Sequence, residues 1–81
     1  MQRLRTELKV VGTRRLSKAI EQGRVKLAFV ADDADLFITR QIGDLCEKHG
    51  VTVVSVPTMK ALGEACQVQV PTAAAGLLKA Q

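Results

Sequence analysis

Gly12-Thr13-Arg14-Arg15, followed one turn later by Lys18, combines a permissive backbone position with three cations. These residues stand where a brief apolar segment, Lys9-Val10-Val11, gives way to a helix reaching about Gln22, with Gly23 as its stop. A helix N-terminus carries about half a positive charge, so its first turn favours Asp or Glu. Arg14 and Arg15 there cost on the order of a few tenths of a kcal/mol each, and a docked anion turns that cost into attraction. With Leu16 pointing to the core, a rotation of about 100° per residue puts Arg14 and Lys18 on the solvent side and Arg15 toward one flank. The chemistry on offer is anion recognition, backed by the free N–H groups of Gly12 and Thr13.

A nucleotide pocket would need G-x-G-x-x-G or G-x-x-x-x-G-K-[ST] after the strand. The sequence has one glycine there, beside bulky arginines. An extended polyanion fits better, because Arg forks onto guanine O6/N7 as readily as onto phosphate. There is no Trp or Tyr, and Phe29 and Phe37 both fall in core patterns, so no ring is expected on the surface for base stacking. A helix end must then enter a groove, and the major groove of regular A-form RNA is too deep and narrow. The target is either DNA or an RNA whose groove is opened by a bend or by non-Watson–Crick pairs.

Other constellations offer less. Asp32, Asp33 and Asp35 follow a strand, where a magnesium-dependent phosphotransfer site could be built, but Asp33 or Asp35 is also the expected cap of the next helix. His49 ends a helix, where an imidazolium is favoured. Cys46 and Cys66 are single, widely spaced and set in helical patterns, which suits small buried hydrophobes in a reducing cytosol rather than a disulfide or a metal site. Val68-Gln69-Val70-Pro71 puts apolar residues in a loop. They read equally as a plug under the last strand and as a wall for an unstacked base. No catalytic residue, metal or cofactor is expected.

These residues must be positioned by a single domain, since 81 residues supply one modest core. The composition, 47% hydrophobic and 25% charged, is that of a soluble globule. Apolar runs are far shorter than the twenty or so residues that cross a bilayer, and no apolar stretch follows Arg3 and Arg5, so a cytoplasmic protein without a membrane partner is expected. Of the formal charge of +4, residues 1–26 contribute an excess of cations, with eight Lys/Arg against Glu7 and Glu21. A localised anionic partner accounts for that bias.

The periodicity predicts a short helix over Gln2–Leu8, a strand at Lys9–Val11, and a second helix with Leu16, Ala19, Ile20 and Gly23 on its inner face. A buried strand follows at Leu27–Ala31, then a helix with Ile38, Ile42, Leu45 and Cys46 inward, and a strand at Val51–Val56. Thr58 caps a helix carrying Met59, Leu62 and Cys66 on one face, and Ala73–Leu78 forms a last strand despite its alanines. The sum is an α/β fold, a three-layer α/β/α sandwich around a four-stranded mixed sheet.

Four segments in order resemble the ribosomal-protein superfamily that binds kink-turn (k-turn) RNA. They are Gly12-Thr13-Arg14-Arg15-Leu16-Ser17-Lys18-Ala19, the acidic turn Phe29-Val30-Ala31-Asp32-Asp33-Ala34-Asp35, the proline-led helix from Val56 to Cys66 with its Leu62-Gly63 pair, and Val70-Pro71-Thr72-Ala73-Ala74-Ala75. The similarity spans nearly the whole chain and is strongest to the short bacterial, YbxF-type members. It implies that the entry helix inserts into the groove widened at tandem sheared G·A pairs, with Gly12, Thr13, Arg14, Arg15 and Lys18 in the groove. It places Val68, Gln69 and Val70 of the loop against looped-out bases, with Lys60 as a neighbour. The implied partner is a k-turn RNA, whether rRNA or an mRNA leader element, with the ribosome as a further partner and the protein acting as a monomer. Archaeal and eukaryotic members carry Asn and Glu where this chain has Arg14 and Arg15, and bacterial relatives commonly carry Lys and Gln. Arg15 cannot accept a hydrogen bond from guanine as Glu or Gln can, so strong electrostatic binding with weaker G·A discrimination is expected.

Overall fold

The computed structural model describes residues 8–79; the helix expected over Gln2–Leu8 lies, but for Leu8, outside the described residues. The described elements run β1 (Lys9–Val11), α1 (Thr13–Glu21), β2 (Val25–Ala31), α2 (Leu36–His49), β3 (Thr52–Val56), α3 (Met59–Ala65) and β4 (Ala74–Leu78). The helix that begins after Gly12 is therefore α1.

The sheet order is β1-β4-β2-β3. β2 and β3 are parallel, while β4 runs antiparallel to both β1 and β2. Alternation along β2 sends Ala28 and Val30 to one face, against Leu16, Ala19 and Ile20 of α1 and Ile42 and Cys46 of α2. Phe29 and Ala31 go to the other face, against Leu62 and Ala65 of α3 and Cys66 just after it. This is the α/β/α sandwich. Val25 shares the α1/α2 face with Ala28 although they are three residues apart. The register slips between Val25 and Leu27, where β2 advances two residues against one on β4, and that bulge reverses the alternation.

The alanine-rich β4 lies inside the sheet with Ala74, Ala75, Gly76 and Leu77 all buried. Propensity disfavours it as a strand, but hydrogen bonding on both sides and two covering layers override that preference. Its small residues let the helices approach closely. A Cβ at Gly76 would stand 2.6 Å from Leu16 Cδ1 and 3.3 Å from both the Leu27 carbonyl oxygen and Val25 Cγ1. Gly76→Ala is therefore expected to cost about 1–3 kcal/mol in urea denaturation, the range for overpacking a filled core. An unchanged midpoint would show that α1 rides loosely on the sheet.

Two expectations about facing are corrected. Gly23 is exposed rather than on the inner face of α1, because the helix stops at Glu21 and the chain turns back with Arg24 N–H donating to Ala19 O. Phe37 is 76% exposed rather than in the core. Asp35 Oδ1 accepts from Phe37 N–H and sets the start of α2. From there Ile42 and Cys46 face the sheet with Ile38 and Leu45 half-buried, and Phe37 falls about 140° round the helix from Ile42.

Candidate nucleic-acid interface

Because β1, β2 and β3 point one way and β4 the other, the turns after the first three and the entry to the fourth gather at one end of the sheet. Each of the four sequence segments singled out above has a part at that end, although they are spread from Gly12 to Ala75. Backbone hydrogen bonds tie them together. Gly12 N–H donates to Ala74 O at 3.0 Å, Ala31 N–H to Ala73 O at 2.9 Å, Asp32 N–H to Val56 O at 2.8 Å, and Thr72 N–H to Met59 O at 3.0 Å.

Gly12 is the N-cap of α1, with φ 105° and ψ 146°. A side chain there would meet open space, so the backbone angle and not crowding calls for glycine. Among the described residues no side chain caps α1 and no acidic residue occupies its first turn, which leaves the amides of Thr13, Arg14 and Arg15 open, whereas the Gly12 N–H, expected to be free, is taken by Ala74 O. Arg14, Arg15 and Lys18 are exposed, and Thr13 is half-buried beside them. None of the three cations has an ion-pair partner among the described residues. In this nine-residue helix Lys18 already belongs to the last turn, where a cation is favoured. The electrostatic misfit therefore rests on Arg14 and Arg15.

Across Ala74 and Thr72 from this helix end lies the loop between α3 and β4. Helix α3 closes with Gln67 N–H donating to Glu64 O and Val68 N–H to Gly63 O, both at 3.0 Å, and Gln67 adopts φ 62° to turn the chain. The loop then folds back over Gly63, whose missing side chain makes room for the Val70 carbonyl. The two valines part company. Val68 packs on the α3-side core as a plug, while Val70 is 66% exposed. Val70 and Pro71 wall an open groove of about 420 Å³ that also takes in Lys60, Glu64, Val68 and Gln69. Lys60 thus lies beside the loop residues. Glu64 and Gly63 were not singled out on their own account. A glycine in the middle of a short helix was the available signal for the close approach.

The acidic turn is occupied otherwise. Asp35 caps α2, and Asp33 Oδ1 accepts from Met59 N–H at 2.7 Å across the sheet end. Together with Thr58 Oγ1, which accepts from Ala61 N–H at 3.0 Å, Asp33 satisfies two amides in the first turn of α3. No group of three or more His, Cys, Asp or Glu is placed to hold a metal among the described residues. Cys46 and Cys66 are buried free thiols. Burial pushes both thiol pKa values up, opposed at Cys66 by the charge of Lys9. Both therefore stay protonated and poorly nucleophilic at neutral pH. No helix among the described residues is long and apolar enough to cross a membrane.

The family model for the ribosomal protein L7Ae/L30e/S12e/Gadd45 family matches residues 2–81. RNA-binding protein YbxF of Geobacillus stearothermophilus is 37% identical over 70 residues, which is 86% of this chain and 85% of that protein. An RNA-binding protein of Geobacillus kaustophilus strain HTA426 gives the same identity and coverage. Among solved structures, the Giardia lamblia 15.5kD RNA binding protein superposes with a TM-score of 0.83 at 34% identity. The match covers 90% of this chain, which spans only 62% of that one. A protein of unknown function from Bacillus halodurans shares the fold, with a TM-score of 0.84 at 23% identity over 95% of this chain and 77% of its own.

Proposed function

Since this chain belongs to the ribosomal protein L7Ae/L30e/S12e/Gadd45 family, we propose that it is an RNA-binding module, not an enzyme, that grips kinked RNA of the k-turn type. One observation carries the reading: the uncapped, arginine-bearing N-terminus of α1 and the exposed Val70 of the α3–β4 loop stand at the same end of the sheet. The first supplies amides and guanidinium groups for guanine edges and phosphates in a widened groove. The second supplies an apolar surface against which unstacked bases can lie. Gly12 admits the RNA backbone because no side chain stands in the way. Thr13, Arg14, Arg15 and Lys18 line the groove contact, and Val68, Gln69, Val70 and Lys60 form the loop side. Val68 acts there from beneath, by holding the loop in place.

The deciding measurement compares affinity for a k-turn RNA with that for the same RNA after its G·A pairs become Watson–Crick pairs. A preference of at least about tenfold, or roughly 1.4 kcal/mol, is expected for the kinked form. Equal affinity would leave only general binding to basic residues. A second reading, a ribosomal component touching rRNA mainly through phosphates, is favoured by one feature. Arg14, Arg15 and Lys18 are all donors and none can accept from guanine N1 or N2. It predicts little motif preference, co-sedimentation with one ribosomal subunit, and a fall of about one log unit in affinity per log unit of salt for each phosphate contacted.

A further inference from the structure

A basic feature continues from the N-terminal end of α1 along the helix, away from the sheet end, as far as Arg24. Along the flank of α1 that faces the β1 edge runs an open groove of about 330 Å³, floored by Val10, Ala19 and Leu78. Its rim is Arg15, Lys18, Gln22 and Arg24. Arg15, Lys18 and Gln22 recur at intervals of three and four residues and so stack along one stripe of the helix. Arg24, just beyond the turn, continues the line at its far end.

Among the described residues no carboxylate lines this groove. Glu21, the acidic residue of α1, is turned about 100° around the helix from Gln22. Three cations with no intervening anion repel one another, and no helix-dipole argument covers all of them. The dipole favours positive charge near Arg24 and disfavours it at Arg15. A shared polyanionic ligand accounts for both. From Arg15 to Gln22 the stripe is about 10 Å long at 1.5 Å per residue. One strand of a duplex advances about 3 Å of axis per phosphate, so the stripe faces about three consecutive phosphates.

We propose that this groove seats the phosphate backbone of a duplex stem flanking the kink, extending the RNA footprint along α1 as far as Arg24. The proposal rests on the RNA-binding reading above. Arg15 and Lys18 join the two contacts, with Arg24 reserved for the stem. Contact through phosphates carries no base preference, so the added affinity depends on stem length and not on stem sequence.

The test measures affinity at about 0.15 M salt for k-turn RNAs whose two flanking stems are shortened in turn, with wild-type protein and R24Q. Arg24 is exposed, so R24Q should keep the wild-type unfolding midpoint. With both stems long, R24Q is expected to bind about 3- to 10-fold more weakly and to lower the salt slope by about one. Once the contacted stem is cut back, wild-type affinity should fall to the R24Q value and the two proteins should bind alike. Equal weakening of R24Q on long and short stems, or no weakening on either, overturns the stem contact. The G·A comparison is scored separately. Loss of motif preference with stem-length dependence intact would remove k-turn selectivity, whereas the reverse would remove only the Arg24 track.

Discussion

Gly63→Ala should lower the stability of this protein by about 2–3 kcal/mol and weaken its binding to kinked RNA. By helix propensity alone the sign would be opposite, since alanine inside a helix is worth up to about 1 kcal/mol over glycine. The close approach decides the outcome. An added Cβ would press on the Val70 carbonyl oxygen and lie near Pro71 Cα, and both are backbone atoms that cannot swing aside as a side-chain tip can. Either α3 shifts off the sheet, or the loop lifts and carries Val70 with it. Domains of this size have roughly 4–12 kcal/mol in total, so the loss should be visible as a drop of about 10–20 °C in Tm. Gly43, in α2, is the control, because a Cβ there meets nothing within 4 Å and alanine should stabilise. If Gly63→Ala behaved like Gly43→Ala, the loop would not be held by this contact.

Replacing Arg14 and Lys18 together by alanine should weaken binding to kinked RNA by about 100-fold at 0.15 M salt while leaving folding almost untouched. Each charge-assisted contact to phosphate or a guanine edge is worth about 1–3 kcal/mol, so two of them reach that range. Neither side chain supports the core, and neither has an ion-pair partner among the described residues. Removing Arg14 relieves the N-terminus of α1, and removing Lys18 forfeits a favourable last-turn cation, each by a few tenths of a kcal/mol. Binding and stability are thereby uncoupled, which separates a ligand contact from a structural one. A salt titration should show the log–log slope reduced by about two. Unchanged affinity would place the interface elsewhere.

Several local features were legible from residue order. Period alone put Leu16, Ala19 and Ile20 on one face of α1 and Ile42 and Cys46 on one face of α2. The Gly12 entry showed itself as a charge misfit, because helix-end electrostatics depends only on residues within one turn. The cap at Thr58 was equally local. Phe37 lies outward although it adjoins Ile38, because Asp35 sets the phase of the helix and one position of phase is enough to turn a ring from the core.

What residue order determined by itself is where cations, apolar faces and chain reversals lie along the chain, since each follows from neighbours a few residues apart. The tertiary structure decided which of those points meet. Asp33 reaches Met59, Gly12 is pinned to Ala74, and of two similar valines Val68 turns in while Val70 stays out. These outcomes depend on strand order and on the approach of the loop to Gly63, both set by long-range packing that no short window of residues contains. The Gly12 helix end could be read as a place for an anion. Only the antiparallel insertion of β4 between β1 and β2 set an apolar loop beside it.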